Sequence, residues 1–327
     1  MTADTNTAPA SAKPVRSSLL WKRFKKQRTL HLFVWIGVLY LLVFAYTPMF
    51  GILMAFKNYT ITQGIKGIFT SSWAGFKYFI EFYNDYKFYD IVRNTLVLSL
   101  LKVVFTFPIP ILFAIMLNEA KNMAFKRVVQ TASYLPHFIS WVVVLGLSFT
   151  FFSSNVGLIN QLLLDWGWIA KPLPILTSPN YFWGLAVGSA MWKEAGWWAI
   201  IFLAAIAGIN PTLYEAAQID GAGRLARIWH ITLPGIRGTV VVVLILTIGS
   251  ILGGGLVGSN FDQAFLMGNA GNNDTSEIVQ TYAFKVGLAQ GRYSYAAAID
   301  LVQSVISVIL IFTSNAIARK VSGTSLF

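Results

Sequence analysis

The stretch "EAAQIDGAGRLARIWHITLP", Glu215 to Pro234, is a polar island between two long apolar runs. Asn210-Pro211, just before it, is a good helix start: an N-cap side chain, then proline at the first helical position. Thr212 and Glu215 also have capping-box spacing. Glu215 sits near that start, where the helix dipole favours a carboxylate. Leu213, Ala216, Ala217 and Asp220 share a face at i, i+3, i+4 and i+7 spacing. Two alanines keep that face slim. Gly221 and Gly223 then allow a sharp turn, with positive φ open to Gly221. Arg224 to Ile231 reads as a second short helix, which Pro234 ends before the next apolar run. A slim helix beside a flexible turn suits a groove in another protein. An ordinary amphipathic surface loop has the same spacing, so spacing alone leaves both readings open.

The surrounding sequence places the island. Of 327 residues, 56% are hydrophobic and 12% charged, and the mean hydropathy is +0.61. A soluble domain of this size cannot hide so much apolar surface, so the bilayer is the natural solvent. Aromatic residues make up 15%, with 11 Trp, which suits interfacial belts. There is no Cys, which excludes disulfides, thiolate metal sites and Cys nucleophiles. Residues 1–29 read as a basic cytosolic tail carrying Lys13, Arg16, Lys22, Arg23, Lys25, Lys26 and Arg28. The apolar run that follows, Leu30 to Phe56, exceeds the ~7–15 residues of a signal-peptide core, so it reads as a retained span.

A helix needs about 20 apolar residues to cross a bilayer. Six stretches qualify: roughly 30–54, 93–117, 132–152, 181–209, 238–259 and 296–318, the third being short if Pro136 breaks it. The predicted fold is all-α and polytopic, with residues 30–327 forming one six-helix domain. Basic residues set its orientation. Lys121, Lys126 and Arg127 follow span two; Arg224, Arg227 and Arg237 follow span four; Arg319 and Lys320 close the chain. On the other side, Lys57, Lys66, Lys77 and Lys87 are diluted by Glu81, Asp85 and Asp90, Lys171 by Asp165, and Lys285 by Asp262, Asp274 and Glu277. Both termini and the island at 210–237 therefore face the cytosol. The net charge of +12 belongs to this membrane pattern rather than to nucleic-acid binding. On the outer side, "WAGFKYFIEFYNDYKFYD" reads as an interfacial segment.

The island resembles the EAA loop of ATP-binding-cassette (ABC) importer permeases. The matching residues are Glu215-Ala216-Ala217, Asp220-Gly221-Ala222 and Ile231-Thr232-Leu233-Pro234. Further stretches, "YLPHFISWVVV", "GLINQLL", "MWKEAGWW" and "FPIPILFAIMLNE", resemble the carbohydrate-importer branch, and more narrowly membrane subunits of bacterial alginate-oligosaccharide importers. The resemblance implies a type I importer architecture in a bacterial inner membrane. It implies that Glu215, Ala216, Ala217, Asp220, Gly221, Ala222, Leu233 and Pro234 couple to an ATPase. It also implies partners: a second, homologous but different permease, two ATPase subunits, and a periplasmic solute-binding protein that delivers an oligosaccharide. The alginate likeness implies an acidic sugar; a neutral complex oligosaccharide is the alternative. ATP and Mg would be bound by the ATPase, with no cofactor or metal in this chain. In keeping with that, no G-x-x-x-x-G-K-[ST] phosphate loop is present, nor a catalytic triad or His-Glu metal pair. His31, His137 and His230 are scattered and read as structural. A secondary transporter would need Asp/Glu/His chains in the middle spans, and a membrane enzyme would need convergent carboxylates.

Ionisable residues at membrane depth mark function by default. Lys102 lies about 13 Å of helix rise beyond Arg93, where a long stem can also snorkel. Lys193 and Glu194 are adjacent, so they are expected to point to different sides of their helix. With Trp192 and Trp197 beside them, they form either a sugar platform or a packing contact. Gly249 and Gly253, and Gly254 and Gly258, form two G-x-x-x-G patterns that suit close helix packing or an unwound pathway. Asn260, Asp262 and Gln263 follow as candidate pathway residues.

Overall fold

A computed structural model describes residues 26–250, 252 and 260–323. The tail at 1–25 and Gly253, Gly254 and Gly258 lie outside them. Two units separate, Met1–Leu53 and Met54–Phe327. The main helices are α1 (Arg28–Phe56), α2 (Lys77–Tyr83), α3 (Phe88–Glu119), α4 (Met123–Phe138), α5 (Trp141–Phe152), α6 (Pro179–Ala207), α7 (Pro211–Ile219), α8 (Arg224–Gly249), α9 (Asn260–Met267), α10 (Val279–Phe284) and α11 (Tyr293–Ser322). Among the described residues no strand forms beyond a single bridge, Lys57 to Trp73. The fold is all-α, as the hydropathy predicts. Five helices (α1, α3, α6, α8 and α11) are long and apolar enough to cross a membrane.

The sixth predicted span is different. Residues 132–152 do not form one straight helix: α4 and α5 meet at 105°. Pro136 sits in a 3-10 turn, Leu135–Phe138, and the chain then extends at Ile139 and restarts with Ser140 as N-cap, whose hydroxyl accepts from Val143 N–H at 3.4 Å. α4 carries Lys126 and Arg127 on an amphipathic surface helix, and only α5 is free of charge and predominantly apolar.

Prolines elsewhere do not stop helices. α1, α3 and α8 each contain a five-residue π turn: Leu42–Tyr46, Lys102–Thr106 and Ile228–Thr232. Each ends two residues before a proline: Pro48, Pro108 and Pro234. A proline ring clashes with the carbonyl four residues back and offers it no N–H. Widening that turn moves the carbonyl aside, and the helix runs on. The sequence reading has Pro234 end a helix, and the structure corrects it: α8 runs unbroken from Arg224 into the span.

Three apolar cores order Met54–Phe327. Phe107, Ile115, Phe202, Ile206, Ile236 and Val243 join α3, α6 and α8. Leu98, Val144, Phe182, Val187, Met267 and Ile278 join α3, α5, α6 and α9. Phe82, Ile91, Val279, Tyr295 and Ile299 join α2, α3, α10 and α11. Lipid is as apolar as these side chains, so close packing and polar links must select partners. Gly249 supplies closeness: a Cβ there would lie 2.1 Å from Ile311 Cγ1 on α11. Polar links include Asn94 Nδ2 to the Asp274 and Glu277 carbonyls, at 2.9 and 3.0 Å, and Thr95 Oγ1 accepting from Val279 N–H at 3.0 Å.

The segment read as interfacial has two faces. Tyr83, Tyr86 and Tyr89 point outward. Phe82 is buried against Tyr295, and Asp85 accepts the hydroxyls of Tyr282 and Tyr295, each at 2.5 Å. It is therefore a packed part of the body as well as an aromatic rim.

Candidate coupling and transport sites

The island folds into α7, a turn and the start of α8. Asn210 caps α7, its side-chain oxygen accepting from Thr212 N–H at 3.1 Å. The predicted Thr212–Glu215 capping box does not form, because the cap falls two residues earlier. Glu215 lies beyond the first turn, so the dipole argument for it lapses. Of the expected open face, Leu213, Ala216 and Asp220 are exposed, as are Thr212, Glu215, Gln218 and Ile219 around it; Ala217 is half-buried. At the other end, Ala222 N–H donates to Ala217 O at 2.8 Å and Gly221 N–H to Gln218 O at 3.1 Å. These two bonds make a Schellman cap, and its left-handed position is Gly221, at φ +78°. The expected positive φ is there. Tyr214 turns inward, its hydroxyl 2.9 Å from that of Thr232, which is buried in the π turn of α8. That bond ties α7 to a membrane helix, and spacing gave no sign of it. Leu233 is half-buried, while Asp220 and Pro234 are exposed. Ile219, Leu225 and Trp229 are also exposed, at 88%, 81% and 70%, so the island carries an apolar surface open to a partner.

The second constellation lies where the α4–α5 bend meets α6. Lys193 and Glu194 do not diverge as expected. Lys193 Nζ lies 3.5 Å from Glu194 Oε1 and donates to the His137 carbonyl at 2.5 Å. Glu194 Oε2 is 2.8 Å from His137 Nδ1. Both residues are 5% exposed. The His137 ring stacks on Trp197 at 4.5 Å, and Lys193 lies over Trp141. Long side chains bend toward a common partner and override the angular offset of neighbours on a helix. His137, read as merely structural, is the hub. Truncating one member of a buried ion pair typically costs about 3–5 kcal/mol, while replacing both with apolar groups is often neutral. Glu194→Ala is therefore expected to lower thermal stability in detergent, and Lys193→Met with Glu194→Leu to restore much of it. Equal loss in single and double variants would refute the pairing.

The other predicted pathway residues are mostly packed. Lys102 is fully buried within the α3 π turn, so it does not snorkel to the surface. Asn260 Nδ2 donates to Ser99 Oγ at 3.1 Å, and Gln263 Nε2 to Ala186 O at 2.7 Å. Both are fully buried and brace α9 against α3 and α6. Asp262 is half-buried. Trp192 lines a largely apolar cavity of about 490 Å³ between α5 and α6. A second cavity, about 450 Å³, holds Phe261, Gln280, Phe284, Tyr293 and Asp300. Asp300 was legible as a carboxylate about 6 Å into the predicted last span, yet the sequence reading did not single it out.

On the outer side, Glu277 is clamped between Lys87 at 2.5 Å and Lys285 at 2.8 Å. Burial by itself would raise its carboxyl, but the hydrogen bonds and charges of Lys285 and Lys87 outweigh it and hold it below the ordinary 4.5. A lowered folded value means the clamp's stabilisation is complete above the unfolded value and is lost as pH falls through the folded one. Hydrogen-exchange protection around Asn273–Phe284 is expected to hold near neutrality and to fall in acid below 4.5. Acid-insensitive protection there would refute the clamp.

Residues 106–323 match the family of binding-protein-dependent transport system inner membrane components. The chain belongs to that family. It is 43% identical to LplB of Bacillus subtilis over 303 residues, 93% of this chain and 92% of that one. It is 41% identical to YteP of the same organism, a polygalacturonan/rhamnogalacturonan transport system permease, over 96% and 97% of the two chains. A crystal structure of a bacterial ABC transporter involved in importing the acidic polysaccharide alginate contains a chain that matches with TM-score 0.84 and 36% identity, covering 93% of this chain and 99% of that one. The molecule is thus a multi-pass ABC importer permease of the carbohydrate branch, and permeases of this family are transport subunits rather than enzymes. The family match begins at Thr106, so it includes the island and the bend. The family match replaces the secondary-transporter and membrane-enzyme readings with that of a transport-system permease.

Proposed function

We propose that this permease is one half of the membrane pathway of an ATP-driven importer, carrying an acidic oligosaccharide from the outer side of a bacterial inner membrane to the cytoplasm. A homologous second permease completes the path, and a solute-binding protein delivers the sugar. Two ATPase subunits hold ATP and Mg. The observation that carries the coupling part is the island itself: a capped helix with an exposed apolar strip, tied by Tyr214 and Thr232 to a membrane helix. α7 seats in the ATPase, and closure of the ATPase pulls on α8. Alternating access follows from rocking the helices attached to it.

The acidic substrate draws support from the likeness to the alginate importer, over nearly the whole chain, and to a permease for polygalacturonan, also a uronic-acid polymer. Buried Lys102 and Lys193 lend it little, since neither faces a cavity described above. A neutral oligosaccharide is the second reading, favoured by the Asp300 carboxylate on the wall of the second cavity, which would repel an anion. In the assembled complex, acidic oligosaccharides are expected to stimulate ATP hydrolysis more than neutral ones of the same length. Equal or greater stimulation by maltose-like sugars would overturn the acidic assignment and leave the importer standing.

A further inference from the structure

A third cavity, of about 250 Å³, lies between α9 and α10 and is lined by Phe265, Asn269, Asn273, Ser276, Glu277 and Lys285. It belongs to the connection between α8 and α11, on the side opposite the coupling island. Its size suits one sugar ring. Three features mark it as built to hold something polar. Ser276 is 1% exposed, and its hydroxyl has no hydrogen-bond partner among the described residues. A buried hydroxyl left so is costly, and a ligand hydroxyl would satisfy it. Gly268 borders the cavity beside it with no room for a side chain: a Cβ there would lie 2.3 Å from Ala264 O and 3.0 Å from Ser276 Oγ. Glu277 bonds two ammonium groups, Lys87 and Lys285, while Lys87 also answers to the Asp85 carboxylate. Lys87 is the more enclosed of the two; Lys285, 48% exposed, lines the cavity and brings an ammonium group to its surface. Phe265 adds a partly exposed ring, stacked on Phe261 at 5.4 Å.

We propose that this cavity is an entry subsite for one uronate residue of an acidic oligosaccharide. Lys285 takes the carboxylate, Ser276 and Asn273 bond the hydroxyls, and Phe265 carries the apolar sugar face. The subsite rests on the acidic-importer reading above. It explains how an anion is selected although the lysines at depth are packed away: the selecting cation stands at the outer mouth.

The test uses the complete importer in proteoliposomes, with an alginate trisaccharide and its carboxyl-reduced neutral counterpart. A charge-assisted bond is worth about 1.5–3 kcal/mol. Lys285→Gln should therefore raise the half-saturating concentration of the acidic sugar about tenfold. The neutral sugar should be unaffected, and Lys285→Arg should stay close to wild type. Lys87 still pairs Glu277 in these variants. Ser276→Ala removes a hydroxyl that holds nothing in the protein, so it tests the cavity without threatening the fold. It should weaken both sugars by roughly threefold, the worth of a neutral hydrogen bond. If wild type takes the neutral sugar as readily as the acid, the acidic reading falls and the subsite with it. If wild type prefers the acid and Lys285→Gln keeps that preference, or Ser276→Ala changes nothing, the subsite alone is overturned.

Discussion

Gly221→Val is expected to leave the permease in the membrane at normal levels and to abolish most ATP-driven transport. Gly221 holds the left-handed position of the α7 cap, at φ +78°. A β-branched side chain there costs roughly 1–2 kcal/mol or more. The strain is relieved by undoing the cap bonds from Ala222 and Gly221 to Ala217 and Gln218. α7 has nine residues, so fraying its last turn redirects a large part of it. No Cβ clash adds to the effect, since open space surrounds Gly221. Within the permease, the loss would therefore come from backbone conformation rather than from a clash. Glu215→Lys is the companion. Glu215 stands on the exposed strip and makes no dipole contribution to the helix, so reversing its charge should spare the fold and weaken ATPase binding. Expression, ATPase pull-down and transport in vesicles separate these effects. Normal docking and transport in both variants would reduce the island to a surface loop and remove the main functional claim.

Gly196→Ala should disrupt the permease body itself. The added Cβ would lie 2.1 Å from the Ser133 carbonyl oxygen and 2.4 Å from its carbon. Both are backbone atoms, so no rotamer change relieves the clash, and α4 must move away from α6. Overpacking of this kind costs about 1–3 kcal/mol, and more where backbone resists. Here the damage spreads, because His137 follows Ser133 by one turn and joins Lys193 and Glu194. Shifting α4 would leave two buried charges without their hub. The purified variant should unfold at lower temperature and expose α4 to protease. Gly188→Ala is the control on the same helix, with nothing within 4 Å of the added Cβ. Equal stability of the two variants would show that the close approach carries no weight.

The sequence by itself determined the solvent, the helical class and the apolar runs, five as single helices and the third as a bent pair. Burial in lipid demands a long apolar run, and such runs are one-dimensional facts. It also determined the start and the turn of the island, because Asn210-Pro211 and Gly221 act on neighbours a few residues away. Tertiary structure decided what depends on distant partners or on how a helix absorbs a proline. Pro136 turns the chain through 105°, whereas Pro48, Pro108 and Pro234 ride through on π turns. The residue type is the same, and the local backbone makes the difference. Lys193, Glu194 and His137 meet only because α6 passes the bend, with more than fifty residues between them in the chain. The orphaned Ser276 hydroxyl became visible only once Gly268 was folded against it. Hydropathy reports how readily a residue leaves water; which group receives it inside is fixed by packing, and packing requires the third dimension.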